Sequence, residues 1–136
     1  LKVFVDTNVL VAAYATRGLC SDLLRLILAQ HELVLSQQVL AELERALRDK
    51  IGLPQALIAE ILATLTPHLF DEDATPSEPV PRFALRDPTD EPILAAAIAA
   101  GAEALVTGYA DLLVAAPAAP LPILSPRAFW LQQRGS

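Results

Sequence analysis

The chain is expected to fold as an α/β domain, a parallel sheet covered by helices on both faces. Three observations predict this. Short β-rich runs alternate with longer segments of helical periodicity. The runs are apolar at successive positions, as strands buried on both faces are. Polar residues, acids above all, fall just past the ends of these runs, where open α/β sheets bind ligands.

The elements follow in order. Lys2-Val-Phe-Val5 reads as a buried strand that stops at Asp6. Val9, Leu10, Ala13 and Tyr14 then fall at helical spacing, and Thr16-Arg-Gly18 interrupts. Leu19, Leu23, Leu24, Ile27 and Leu28 mark a second helix, and Leu33-Val-Leu35 a second strand. Ser36 is placed to cap a third helix with the face Val39, Leu40, Leu43 and Leu47, ending near Gly52. Pro54, at the first helical position, opens a fourth helix that Pro67 ends. Residues 71–88 hold four prolines and several acids and read as loop. A helix from about Asp90 to Ala100 stops at Gly101. Ala104-Leu-Val-Thr107 reads as a strand and Asp111 to Val114 as a short helix, followed by a linker over 117–122. Leu121 to Leu124 is expected as a last strand, and Pro126 opens a helix carrying Phe129 and Trp130.

Composition narrows the function. At 136 residues and 54% apolar content the chain is expected to form one domain over residues 1–136, with a substantial core. The net charge of −6 argues against a broad basic face that grips a polyanion by charge alone. One cysteine, Cys20, and two histidines, His31 and His68, leave no material for a disulfide framework or for a Cys- or His-rich zinc site. Cys20 lies in an apolar stripe and reads as a core residue, and His31 as a helix terminator. No apolar run reaches the ~18 residues of a membrane span. With no visible secretory signal and an unpaired thiol, a cytoplasmic location is expected.

The acids carry the chemistry. Asp6 ends the first strand, with Thr7 and Asn8 next. Ser36 ends the second, and Glu42 lies about two turns into the following helix. Asp87 and Asp90 stand where a loop enters the alanine-rich helix, and Thr107, Gly108, Tyr109 and Asp111 follow the next strand. If these strand ends are neighbours, Asp6, Glu42, Asp90 and Asp111 converge on one pocket. Carboxylates so clustered repel one another and call for a cation, so Asp6→Asn is expected to abolish metal binding and to raise the melting temperature of the metal-free protein. Oxygen ligands without Cys or His suit Mg²⁺ or Mn²⁺, which can orient a phosphate, activate a water and stabilise a leaving oxygen. Each acid also has a plainer reading. Asp6 and Asp111 could cap helices, Glu42 could pair with Arg45 at i+3, and Asp87 with Asp90 could form a capping box. A phosphatase with Asp6 as nucleophile is disfavoured, because Asn8 stands where such haloacid-dehalogenase-type enzymes place a second Asp.

Val-Phe-Val-Asp6-Thr-Asn-Val-Leu resembles the opening motif of PIN-domain ribonucleases, the fold of VapC-type toxins. Val-Leu-Ala-Glu42-Leu resembles their second acidic motif, Arg86-Asp-Pro-Thr-Asp90-Glu-Pro-Ile-Leu-Ala the third, and Ala104-Leu-Val-Thr-Gly-Tyr-Ala-Asp111-Leu-Leu the fourth. The resemblance implies a three-layer α/β/α domain around a parallel sheet of four or five strands. It implies Mg²⁺- or Mn²⁺-dependent cleavage of RNA, a homodimer, and a small antitoxin as partner. Asp6 and Asp90 would be the principal metal ligands, and Glu42 a ligand directly or through water. Thr107 would support the cluster, with Asn8, Ser36 and Tyr109 around it. The fourth motif usually reads Val-Thr-Gly-Asp, and here Tyr109 stands in place of that acid. Asp111 matches a further acidic position and would partly substitute. The alternative is a catalytically weakened PIN-like module that binds RNA or a protein partner.

Overall fold

The computed structural model describes residues 1–70, 91–114 and 119–134. Four parallel strands form one sheet: β1 (Lys2–Val5), β2 (Glu32–Val34), β3 (Ala104–Val106) and β4 (Ile123–Leu124), in the order β2-β1-β3-β4. The helices are α1 (Thr7–Ala15), α2 (Leu19–Gln30), α3 (Gln37–Ala46), α4 (Gln55–Leu65), α5 (Glu91–Ala99), α6 (Ala110–Val114) and α7 (Pro126–Arg134). Helices follow the strands and flank the sheet, as a parallel sheet requires. The central strand β1 is buried from Val3 to Val5 and β3 along its whole length. Val3, Phe4, Val5, Leu105 and Val106 share a core with Leu10, Leu23, Ile27, Leu43, Leu94 and Phe129.

The strand order positions the site. The chain leaves β1 towards β2 on one side and later returns to β3 on the other. The carboxyl ends of β1 and β3 are therefore the topological switch point, where the loops diverge and leave a crevice. Val5 pairs with Val106 at that end. One residue further, the Asp6 backbone N–H donates to the Val106 carbonyl at 2.9 Å.

Several sequence expectations shift by a residue or two. β2 closes at Val34, and Leu35 instead bridges Leu69 in parallel. This adds a fragment of a fifth strand at the β2 edge, held by Leu35 N–H to the His68 carbonyl and Phe70 N–H to the Leu35 carbonyl. Pro54 caps α4 from an extended conformation (ψ 143°) instead of occupying its first turn. α3 does not stop cleanly. It runs into a π-turn over Leu47–Ile51, which Gly52 ends with φ +74°, a left-handed conformation that suits glycine. β4 is shorter than the expected 121–124. Within the expected linker, Pro117 and Ala118 lie outside the described residues, as does the whole proline-rich stretch 71–88 with Asp87.

Cys20 packs half-buried against the core, and burial pushes its thiol pKa up. His31 caps the C-terminus of α2 through its backbone N–H on the Ile27 carbonyl and sets its ring edge-on to Phe129, 5.7 Å away. Among the described residues no helix is long and apolar enough to cross a membrane.

Candidate functional site

Asp6 stands at the switch point and is fully buried. It opens α1: its carbonyl accepts from the Val9 and Leu10 N–H groups, and its side-chain Oδ1 accepts from the Thr7 N–H at 2.7 Å. The plainer reading of Asp6 as a helix cap is thus correct, and it does not exhaust the residue. Its second oxygen, Oδ2, accepts from the Thr107 hydroxyl at 2.7 Å, across 101 residues of sequence. The Thr107 hydroxyl in turn accepts from the Tyr109 N–H at 3.1 Å. Thr107 is itself fully buried. One carboxylate therefore ties the end of β1 to the loop that follows β3.

Glu42 reaches the same place from α3. Its Oε2 accepts from the Thr7 hydroxyl at 2.8 Å, and its Oε1 from the Gln38 amide at 3.1 Å. Thr7 thus bridges the two acids, donating its backbone N–H to Asp6 and its side-chain hydroxyl to Glu42. Donors that hold a carboxylate in one orientation are the usual supporting partners of ligating or acid–base groups. The expected alternative for Glu42, an i, i+3 pair with Arg45, is not formed. Among the described residues the ion pair within 4.0 Å is Arg48–Asp49, which holds the Arg48 guanidinium pKa up.

A cleft of ≈ 390 Å³ opens beside the pair, lined among others by Thr7, Asn8, Glu42, Arg45, Lys50 and Tyr109. Tyr109 is 43% exposed at this cleft. Asn8 reaches over the β3–α6 loop, its Oδ1 accepting from the Gly108 N–H at 3.4 Å. A Cβ on residue 108 would lie 2.9 Å from Asn8 Nδ2, so a larger residue here would make the Asn8 side chain shift. Ser36 plays its part from behind. It is buried, its hydroxyl accepts from the Val39 N–H at 3.2 Å, and it faces a second cleft with Gln38, Phe70 and Pro92. It supports the site by starting the helix that carries Glu42.

The structure thus brings together Asp6, Asn8, Glu42, Thr107 and Tyr109. Asp90 lies outside the described residues, and Asp111 falls within α6. Among the described residues no three of His, Cys, Asp and Glu gather into a metal-binding group. The candidate ligand atoms among the described residues are all oxygens, from two carboxylates with hydroxyls and an amide around them. That set fits a hard divalent cation, which binds to one or two carboxylates and keeps several waters. The sequence singled out neither Gln38 nor Lys50, and it gave Thr7 and Arg45 no role in the cleft. Gln38 and Glu42 stand at i, i+4, and Glu42, Ala46 and Lys50 at i, i+4, i+8, so their shared face was open to reading. Thr7 carried no such signal.

Residues 2–109, well over half of the chain, match the family model described as PIN domain. Among curated proteins, none matches the sequence. The match begins with β1, includes Asp6, Glu42 and Thr107, and ends at Tyr109, short of Asp111. PIN domains are typically nucleases that act on nucleic acid and generally use divalent metal ions. The parallel sheet, the acid at its switch point and this match agree: the chain belongs to the PIN-domain family.

Proposed function

We propose that this protein is a Mg²⁺- or Mn²⁺-dependent endoribonuclease and the toxin of a toxin–antitoxin pair, acting in the cytoplasm as a homodimer restrained by a small antitoxin protein. The observation that carries the nuclease reading is the Asp6–Thr7–Glu42 relay at the switch point, beside an open cleft. Asp6, Glu42, Asp90 and Asp111 would hold the cation, which when bound supplies phosphate orientation, water activation and charge neutralisation. Asp6 is the fixed ligand, because Thr7 and Thr107 hold both its oxygens. Glu42, only partly buried, is placed to orient the attacking water and take its proton. Attack on phosphorus forms the new P–O bond, and the bond to the leaving oxygen breaks.

Tyr109 favours a second reading, a weakened module that binds RNA or a protein without efficient cleavage. It presents an aromatic ring to the cleft where the resembled motif has an acid. One set of measurements separates the two: calorimetric Mn²⁺ titration and single-stranded RNA cleavage with and without EDTA, for wild type, Tyr109→Asp and Asp111→Asn. Affinity for a hard cation rises with carboxylate count, so Tyr109→Asp is expected to bind Mn²⁺ more tightly and cleave faster. If the wild type neither binds Mn²⁺ nor cleaves RNA, and Tyr109→Asp restores nothing, the nuclease reading fails. Unchanged metal affinity with weaker RNA binding in Tyr109→Asp would instead make Tyr109 a base-stacking residue.

A further inference from the structure

We infer that Arg45 and Lys50 form a second phosphate site in the cleft, holding the phosphodiester that flanks the scissile one, so that the substrate is a polynucleotide and not a single nucleotide. This inference rests on the nuclease reading for the position of the scissile phosphate. The chain carries a net charge of −6, so a polyanion gains little from its overall field. Cations that meet such a substrate must be local. Of the three basic residues in the stretch 45–50 that precede or follow the π-turn's start, Arg48 is paired with Asp49. Arg45 and Lys50 instead line the cleft, and among the described residues neither makes an ion pair within 4.0 Å. Both are exposed, so a bound phosphate would find their donors without a cost of extracting them from the core.

Their placement gives the cleft a polarity. Glu42 and Lys50 are separated by eight positions along α3 and its π-turn, about 12 Å at helical rise. That span exceeds one nucleotide repeat. The acids would attract the cation and the scissile phosphate at one end, Lys50 would take the neighbouring phosphate at the other, and Arg45, three positions from Glu42, would reach it from between them. Lysine offers a point charge and arginine a planar fork, and both serve phosphate. The π-turn sets Lys50 on this wall, a use of an irregular helical turn often met beside functional sites.

The test uses the full chain and an end-labelled single-stranded oligoribonucleotide. Binding is followed by anisotropy at several KCl concentrations, and cleavage in Mn²⁺. Arg45→Gln, Lys50→Gln, the double variant and the charge-keeping Lys50→Arg are compared, all at exposed positions and with residues that favour helix. Each lost phosphate contact is expected to flatten the slope of log affinity against log salt by about 0.7. The double variant is expected to raise KM for the oligonucleotide about tenfold, with the loss falling on KM and not on kcat. Lys50→Arg should keep the wild-type slope. For a dinucleotide, whose single phosphate is the scissile one, the penalty should disappear. An unchanged salt slope and KM in the double variant, while the wild type still cleaves, would overturn the second site and leave the nuclease reading standing. A flattened slope in a protein that shows no Mn²⁺-dependent cleavage would support the phosphate site and sink the nuclease reading.

Discussion

The site beside the cleft has two walls, built differently: a strand wall buried behind Thr7, Asn8 and Tyr109, and a helix wall that lines the cleft itself. On the strand side, Asp6 and Thr107 are fully buried, and each oxygen of the Asp6 carboxylate accepts a 2.7 Å hydrogen bond from groups that also hold the fold together. On the helix side, Glu42, Arg45 and Lys50 are partly or wholly exposed, and among the described residues Glu42 is tied by two side chains, Thr7 and Gln38. On the proposed function the strand wall couples chemistry to stability, so that one residue would serve both. The helix wall keeps them apart, so its charges can change with little consequence for folding. Such a division suits an active site: rigid where a ligand must be fixed, adjustable where the substrate is chosen.

The largest effect is expected from setting the two walls against each other. Asp6→Ala leaves the Thr7 N–H and the Thr107 hydroxyl without their partner in a buried setting, and should cost about 3 kcal/mol of folding stability. Glu42→Gln should cost under ~1 kcal/mol, since its partners sit nearer solvent. Both should lose Mn²⁺ affinity by calorimetry. Urea unfolding that finds the two variants equally stable would erase the distinction between the walls. The same bonds revise the expectation for Asp6→Asn. Relief of carboxylate repulsion was to raise the melting temperature, but an amide would set a donating group where one of the carboxylate oxygens now accepts, so a lower melting temperature is expected.

An intermediate effect sharpens the comparison from the helix side. Ser36→Ala removes the cap of α3 and should cost about 1 kcal/mol, read as a lower melting temperature. Mn²⁺ affinity should hold, because the rest of α3 still carries Glu42 to Thr7. A large fall in metal affinity with little loss of stability would mean that Ser36 acts on the site directly.

The smallest effect probes the join between strand wall and loop. Gly108→Ala pushes a methyl group against Asn8 Nδ2 and should cost about 0.5 kcal/mol, since the Asn8 side chain can swing away at the expense of its bond to the Gly108 N–H. In the Asn8→Ala background the added methyl should cost less, a coupling that a double-mutant cycle reads directly. Additive losses would show that Asn8 does not guard the crossing.

Much of the fold was legible from nearest neighbours. The apolar runs gave the strands, the stripes at i, i+3 and i+4 the helices, and Ser36 and Gly101 their ends. Asp6 was legible because an acid just past a buried strand is costly without a use. These features depend on contacts within a turn or a strand, so the residues that cause them lie within a few positions of one another. The tertiary structure alone decided the strand order β2-β1-β3-β4, which makes the ends of β1 and β3 the switch point. It alone joined Thr107 to Asp6 across 101 residues and Thr7 to Glu42 across 35. It also settled between two local options for Glu42, leaving Arg45 for the cleft and giving Glu42 to Thr7 and Gln38. The physical reason is the same in each case. Hydrophobic periodicity says which face of an element is buried but not against what, and a side-chain hydrogen bond is chosen only once packing has brought distant donors and acceptors within about 3 Å.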